Sequence, residues 1–464
     1  MTDLLADAHR RGSDLVAAAV ARGDLPGAAF CTAHADGRHH VTVAGVADVA
    51  TRRPVARTTP FCLASSTKPI ASLVLGSMLD DGSVTLEQSV ALPAGLVHEF
   101  GAVRAPTLRE IADHTAGLGT HHRFFYDDQS APVSVDDAVA ALATPVWAPG
   151  ERWSYSNLGY GVLERELTRA AGVSFASLVE QRFFRPLGLE TAAWGGATGP
   201  DGAAVRYGAG ARAYPGYVTD HPAASEAWCG VEDLARIGLA QLQRSLLRPE
   251  THDLLVTPSA PRQVDGAAYG LGWVTRRVGR RGDDLWVHAG RMGGVGAHLT
   301  VVPGAGIVLA AVANAETEVL AQAVAEVLRA VVPEYEAPAP APGWEAGRAE
   351  PAMAVRWRGS ALLAGERLDV ALDAASERMS FTIGGRSGTD APLVAPHVRA
   401  ERIAAHVALG RPFAAAPDDA LVHLDLRPHG DGFAGAMTFA QYPNERRWRQ
   451  GDAVSASIVL ERDA

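Results

Sequence analysis

A run of alternating alanine and proline divides the chain into two parts with different sequence patterns. The run reads EYEAPAPAPG over residues 334–343. Proline fixes its φ angle and lacks a backbone N–H, so this run enters neither a helix interior nor a central strand and forms a semi-rigid linker. A chain of 464 residues is also too long for one ordinary core. We predict a first domain over residues 1–335, a linker over 336–344 and a second domain over 345–464.

The part after the linker has the pattern of an all-β domain. Apolar residues recur at every second position in short runs, which is typical of half-buried strands. Turn sequences such as HGDG at 429–432 separate the runs. The clearest runs are Leu368/Val370/Leu372, Met379/Phe381/Ile383, Leu424/Leu426 and Met437/Phe439. We predict a small barrel or sandwich of about 120 residues.

The part before the linker mixes strands with helices, which indicates an α/β domain. Residues 26–50 read as two strands joined by a turn at 35–37, and the apolar run 61–79 ends in a helix stop at 80–82. Further strands are predicted at 273–278, 285–288, 298–302 and 307–312, and further helices near 108–114, 136–143, 160–171 and 316–331.

Composition excludes several classes of function. The net charge is −10, and no block of basic residues is present to bind nucleic acid. Charged residues interrupt the apolar positions near the N-terminus, and no apolar run approaches the length of a membrane span, so we expect neither a secretion signal nor a membrane partner. Three widely separated cysteines have no metal-ligand spacing. A reduced cytoplasmic protein without metal or cofactor is the expectation.

The chain contains a single lysine, Lys68, among 42 lysine and arginine residues. Arginine is permanently protonated in proteins, whereas a desolvated lysine can lose its proton, so this position suits a titratable amine. Drift is the alternative explanation for one surviving lysine. Ser65 precedes Lys68 by three residues, and a helix beginning at Ser65 would place both side chains on one face. Ser65 is therefore the candidate nucleophile and Lys68 its candidate base.

Two further motifs carry candidate chemistry. Tyr155-Ser156-Asn157 lies on a predicted loop before a helix, where a phenol and an amide could serve a substrate, although an ordinary helix cap is the plain alternative. His288-Ala289-Gly290 is expected to end one strand before a glycine-rich turn. There Gly290 would admit a substrate backbone, and the N–H of Arg291 could bind an oxyanion.

In this order the three motifs resemble the serine β-lactamases and penicillin-binding proteins, above all the class C branch. Supporting landmarks are Asp113–Leu118, Trp153–Asn157 and Tyr269–Trp273. The resemblance covers about residues 10–330 and implies an antiparallel sheet between helical regions. It also implies that Ser65 is the nucleophile, that Lys68 and Tyr155 share acid and base work, and that Asn157 and His288 orient the acyl group. The N–H groups of Ser65 and Arg291 would form the oxyanion hole.

The second domain is similar to the lipocalin-like domain of the penicillin-binding-protein-type thioesterases, which cyclise nonribosomal peptides. This resemblance implies a peptidyl thioester on a carrier protein as substrate and head-to-tail macrolactamisation as the reaction. The alternatives are a cytoplasmic carboxylesterase, a D-amino-acid amidase or aminopeptidase, and a non-catalytic peptide-binding protein of the same fold. His288 stands where true β-lactamases carry lysine.

One loop of the second domain is a candidate contact for the peptide or its carrier. It contains Arg446, Arg447 and Trp448 between two strand-like runs. The cations could hold an acidic carrier surface, and the indole could shield the ester from water. A solvated hairpin tip is the plain alternative.

Overall fold

The computed structural model describes residues 4–92, 104–129, 131–143, 145–260, 267–279, 283–333, 335–337, 347, 349–383, 386–408, 420–441 and 449–463. The helices are α1 (Leu4–Ala21), α2 (Lys68–Asp80), α3 (Leu108–Ala112), α4 (Val135–Leu142), α5 (Asn157–Ala171), α6 (Phe175–Val179), α7 (Arg185–Leu187), α8 (Pro222–Ser225), α9 (Val231–Gln243), α10 (Pro249–Val256) and α11 (Val319–Val331). None of the helices formed by these residues is both long enough and apolar enough to cross a membrane.

The strands before the linker are β1 (Gly27–His34), β2 (His39–Asp48), β3 (Arg53–Pro54), β4 (Phe61–Cys62), β5 (Phe124–Tyr126), β6 (Ala193–Trp194), β7 (Tyr207–Gly208), β8 (Arg212–Ala213), β9 (Tyr217–Thr219), β10 (Ala227–Cys229), β11 (Ala267–Tyr269), β12 (Val274–Val278), β13 (Asp283–Met292), β14 (Val295–Val302) and β15 (Ile307–Ala313). Those after it are β16 (Arg356–Leu363), β17 (Glu366–Asp373), β18 (Arg378–Ile383), β19 (Arg386–Arg399), β20 (Arg402–Val407), β21 (Leu421–His429), β22 (Gly432–Ala440) and β23 (Ala453–Arg462).

The chain packs as two compact units that each contain several stretches of sequence. The first unit comprises Met1–Gln88, Phe125–Pro132 and Leu163–Pro340, and the second comprises Ser89–Phe124, Val133–Val162 and Ala341–Ala464. The domain boundaries predicted above follow chain order. In the structure, two segments from before the linker pack with the C-terminal residues.

The first unit is built on an eight-stranded antiparallel sheet in the order β11-β12-β13-β14-β15-β1-β2-β3. The predicted strand pair at 26–50 is the β1–β2 hairpin, and β15 is buried along its whole length. Helices α1 and α11 cover one face through Leu5, Val16 and Val327, which pack against Phe30. Helix α9 covers the opposite face, where a Cβ on Gly238 would lie only 2.6 Å from Val308.

The second unit contains a closed eight-stranded barrel, β16 to β23, in which neighbours in sequence are neighbours in space. The barrel closes between β16 and β23, with Ala361 opposite Ile458. In β17 the apolar residues Leu368, Val370 and Leu372 are buried and alternate with more exposed positions, as the period of two predicts. This barrel fits the predicted lipocalin-like all-β domain. Most of the predicted linker lies outside the described residues.

Candidate active site

Ser65 lies on a short 3₁₀ helix and not on the α-helix predicted from the apolar run. The 3₁₀ helix spans Ala64–Thr67, and α2 begins at Lys68. An α-helix beginning at Ser65 would need the N–H of residue 69 to donate to the Ser65 carbonyl, but that residue is Pro69 and has none. The N–H of Lys68 donates to the Ser65 carbonyl instead. Residues three apart eclipse in a 3₁₀ helix, so Ser65 and Lys68 still share a face.

The backbone just before Ser65 is strained. Ala64 has a φ of 45°, in the left-handed region that costs a residue with a Cβ about 1 kcal/mol or more. Of residues 61–70, Ser65 alone is partly exposed, and the other nine are buried. The strained turn therefore presents one hydroxyl at the surface of an otherwise buried segment.

Lys68 is completely buried, and its amine contacts two oxygens of the first unit. Nζ lies 3.2 Å from Oγ of Ser65 and 3.2 Å from the carbonyl oxygen of Ala224 on α8. Burial lowers the pKa of Lys68 well below its ordinary value, because a charged amine is costly away from water. A neutral amine that donates an N–H to Ala224 keeps its lone pair for the Ser65 hydroxyl.

Strand β13 docks directly onto the 3₁₀ helix that carries Ser65. The Ser66 hydroxyl donates to the carbonyl oxygen of His288 at 2.8 Å. A Cβ on Gly290 would lie 2.0 Å from the carbonyl oxygen of Leu63 and 3.0 Å from the nitrogen of Ser66. Gly290 is thus required for the close approach of these two elements.

The prediction that His288-Ala289-Gly290 ends a strand is wrong. Strand β13 continues to Met292 and pairs with β14 along this stretch, from His288 opposite Leu299 to Met292 opposite Val295. The turn is formed by the next two residues, both glycines, which suit a two-residue hairpin connection.

Both ring nitrogens of His288 have partners inside the protein. Nδ1 lies 3.1 Å from the carbonyl oxygen of Ala289, which can only accept, so Nδ1 carries the proton. Nε2 then accepts from the hydroxyl of Tyr269 at 3.1 Å. Burial lowers the pKa of His288 to about 3, because a charged imidazolium is costly away from water. The imidazole is therefore neutral at physiological pH.

Arg291 lies on the part of β13 that extends beyond its pairing with β12. That pairing ends at Val287 opposite Val274, so among the described strands residues 288–292 have β14 on one side and an open edge on the other. The guanidinium of Arg291 pairs with Glu318. The predicted oxyanion role concerns the backbone N–H of Arg291 and not this guanidinium.

Tyr155 and Asn157 belong to the second unit, where the prediction of a loop followed by a helix is confirmed. Asn157 is the first residue of α5, and Tyr155 is partly exposed on the loop before it. The Tyr155 ring packs against His114 at a centroid distance of 4.5 Å and against Trp153 at 6.1 Å.

Some features of the site had no assigned role in the sequence, and one prediction is not described by the structure. Tyr269 was noted only as a landmark, because nothing local indicates that its hydroxyl meets His288. Ala224 contributes a backbone carbonyl, for which an alanine side chain gives no signal. Arg446, Arg447 and Trp448 lie outside the described residues.

Known proteins are related in sequence to the first part of the chain, and a solved structure is similar in fold to both parts. Penicillin-binding protein 4* of Bacillus subtilis is 28% identical over 153 residues, covering 31% of this chain and 33% of the relative. Esterase EstB of Burkholderia gladioli is 31% identical over 166 residues, covering 31% and 41%. The chain thus spans only about a third to two fifths of the length of these relatives. The crystal structure of SurE matches with a TM-score of 0.66 and 22% identity, covering 99% of this chain and 100% of SurE.

The family model described as Beta-lactamase matches residues 13–332. This range contains the strained turn at Ser65, the buried Lys68, the loop of Tyr155 and the β13–β14 hairpin. The chain therefore belongs to the beta-lactamase family.

Proposed function

We propose that the chain is a serine acyl-transferring enzyme that forms a covalent ester on Ser65. The observation that carries this proposal is the buried amine of Lys68, 3.2 Å from Oγ of Ser65. Burial holds the pKa of Lys68 low, so the neutral amine can accept the serine proton. A permanently charged group at this position could not do so.

The acylation step follows from these groups. The Ser65 oxygen attacks a substrate carbonyl while its proton passes to Nζ of Lys68. The carbonyl oxygen becomes an oxyanion, which accepts from the N–H groups of Ser65 and Arg291. Collapse of this intermediate breaks the bond to the leaving group, which takes the proton from Nζ of Lys68, and the resemblance assigns Tyr155 a share in this transfer. The product is an ester on Ser65, and the resemblance assigns the orientation of its acyl chain to Asn157.

The neutral state of His288 favours acyl donors without a carboxylate at this position. Its pKa of about 3 leaves no positive charge there at neutral pH, and both ring nitrogens are engaged with Tyr269 and Ala289. His288 therefore acts on substrate through the position of β13 and not through a charge of its own. Esters and thioesters satisfy this condition.

The finer proposal is that Ser65 receives a peptide from a carrier-protein thioester and releases it as a macrolactam. The closed barrel after the linker supports it, because the resembling thioesterases combine these two domains. Release requires the amine of the bound peptide to attack the ester in place of water. A well-oriented intramolecular nucleophile reaches an effective molarity of roughly 10⁵–10⁸ M, which exceeds the concentration of water.

Hydrolysis of a small ester or amide is the second candidate, favoured by the similarity to Esterase EstB. The two candidates share Ser65 and differ in the nucleophile that resolves the ester.

The test uses a linear peptide carried as a small thioester that mimics the carrier arm. Wild-type protein and the Ser65→Ala variant are incubated with this thioester. The products are separated by chromatography and identified by mass spectrometry. Macrolactam as the main product, formed only by the wild type, supports the finer proposal. Linear acid alone across peptides of several lengths supports the hydrolase. Turnover of neither these thioesters nor a small activated ester by the wild type would indicate a binding protein.

A further inference from the structure

In the second unit, residues 114–124 form a segment that is bonded on one side to the barrel and on the other side to the Tyr155 loop, residues 150–157. On the barrel side, His122 and Ala453 exchange two backbone hydrogen bonds of 2.9 and 2.8 Å. The N–H of Phe124 donates to a carboxylate oxygen of Asp452 at 2.9 Å. The segment thus pairs with the beginning of β23 in the manner of a short additional strand.

Ser455 on β23 contacts Thr120, which is itself bonded to the Tyr155 loop. Its hydroxyl donates to the carbonyl oxygen of Thr120 at 2.8 Å and lies 2.8 Å from the hydroxyl of Thr438 on β22. A Cβ on Gly119 would lie 2.5 Å from the Cβ of Ser455. The segment can approach the barrel this closely only because residue 119 is glycine.

The same segment holds both residues that flank Tyr155. The N–H of Ser154 donates to the carbonyl oxygen of His114 at 2.8 Å, and the N–H of Ser156 donates to Nδ1 of His114 at 3.2 Å. The hydroxyl of Thr120 also donates, at 3.4 Å, to the carbonyl oxygen of Tyr155. Thr120 is therefore bonded to the barrel through its carbonyl and to the loop through its side chain.

A second path joins the barrel to this loop. A Cβ on Gly435 of β22 would lie 2.5 Å from the ring of Trp147, so the indole packs directly on the strand. Trp147 is 6% exposed, and the guanidinium of Arg152 lies over its ring, 4.0 Å from the ring centroid. Arg152 lies three residues before Tyr155.

We propose that the β22–β23 face of the barrel is a brace that fixes the Tyr155 loop, with Ser455 and Gly119 as positioning residues. The inference rests on the proposed function for the role of Tyr155. A proton-transferring hydroxyl must be held to within about 0.5 Å of its productive position, and a loop depends on supporting contacts for that precision. The barrel lies beyond the residues matched by the family model, which end at 332. The barrel therefore supports the Tyr155 loop with residues that are not part of the region matched by the family model.

Ser457 provides a matched control for Ser455. Both serines lie on β23, two residues apart, and their side chains point to the same face of the strand. Both are buried, with exposures of 6% and 0%. The Ser457 hydroxyl has no hydrogen-bond partner among the residues that the structure describes. Ser457→Ala removes the same atom as Ser455→Ala without removing the hydrogen bond to Thr120.

The experiment measures hydrogen exchange of peptides spanning residues 150–157 in the full-length protein without substrate. It also measures the acylation rate with a small activated thioester, normalised to the fraction of protein that forms an adduct. For Ser455→Ala we expect exchange about tenfold faster and acylation about five- to twentyfold slower, with KM unchanged. Ser457→Ala should stay within twofold of wild type, and Ser455→Thr, which keeps the hydroxyl, should recover most of the rate.

The outcomes separate the brace from the proposed function. Equal exchange in Ser455→Ala and Ser457→Ala would overturn the brace. Faster exchange but unchanged acylation in Ser455→Ala would also overturn the brace, provided that Tyr155→Phe acylates more slowly than wild type. If Tyr155→Phe acylates normally, the same result would support the brace and contradict the role proposed for Tyr155.

Discussion

The carbonyl oxygen of Ala224 lies as close to the amine of Lys68 as the Ser65 hydroxyl does, 3.2 Å in each case. A carbonyl only accepts hydrogen bonds, so this contact directs an N–H of the amine towards α8. The remaining lone pair can then face Ser65. The contact with a backbone carbonyl thus holds the amine in place beside the Ser65 hydroxyl.

Lys68→Arg should be nearly as damaging as Lys68→Ala, because a guanidinium cannot accept the Ser65 proton. We expect each variant to keep less than about a tenth of the wild-type kcat, a barrier increase of at least ~1.4 kcal/mol. Steady-state hydrolysis of an activated ester measures this. Retention of more than a tenth by Lys68→Arg would show that Lys68 is not the base.

Gly290→Ala should separate β13 from the 3₁₀ helix of Ser65, since the new Cβ would lie 2.0 Å from the carbonyl oxygen of Leu63. We expect a large loss of acylation and a lower Tm, with overpacking costing roughly 1–3 kcal/mol or more. Gly159→Ala is the control, because its Cβ would make contacts no closer than 3.5 Å. Wild-type acylation by Gly290→Ala would contradict the tight docking described here.

A substrate carboxylate should not assist acylation by β-lactams, because burial holds the pKa of His288 at about 3 and leaves it neutral. We expect benzylpenicillin and its methyl ester to acylate Ser65 with rate constants within about threefold of each other. Quenched-flow mixing followed by intact-mass spectrometry gives the two acylation rate constants. A preference above tenfold for the free acid would indicate a cation that recognises the carboxylate.

Glu226 should make stability depend on pH. Burial raises the pKa of this carboxyl from 4.5 to about 7, while Thr219 donates to it through its N–H and its hydroxyl. The folded state therefore holds a proton that the unfolded state releases near 4.5. Stability from this group is fully present below pH 4.5 and is lost as pH rises through about 7, on the order of 3 kcal/mol in all.

Glu226→Gln removes this ionisation and keeps an acceptor for Thr219. The Tm difference between the variant and the wild type should therefore be small at pH 5 and should favour the variant by several degrees at pH 8. Thermal unfolding across this range measures it. A difference that does not change with pH would show that the carboxyl does not titrate in this way.

Local patterns predicted the elements of this fold well. The β1–β2 hairpin, the buried strand β15 and the alternating strand β17 are each confirmed, because side-chain periodicity is a property of neighbouring residues. The candidate pair Ser65 and Lys68 also followed from local spacing and is found in contact. The start of α2 was mispredicted because Pro69 lacks the N–H that would donate to the carbonyl oxygen of Ser65, four residues earlier.

Relationships between distant residues were not predictable from one sequence. The bond between Ser455 and Thr120 joins positions 335 residues apart, and neither residue carries a local signal for it. The hydrogen bond of Tyr269 to His288 depends on the path of the chain through β11, β12 and β13. Such contacts arise from tertiary packing, which periodicity does not encode.

The acyl-enzyme itself gives the most direct test of the account. Wild-type protein and Ser65→Ala are mixed with an activated acyl thioester, quenched in acid and measured by intact-mass spectrometry, and the modified peptide is then sequenced. We expect a single added acyl group on the wild type, located on Ser65, and none on the variant. An adduct of equal yield on Ser65→Ala would contradict it.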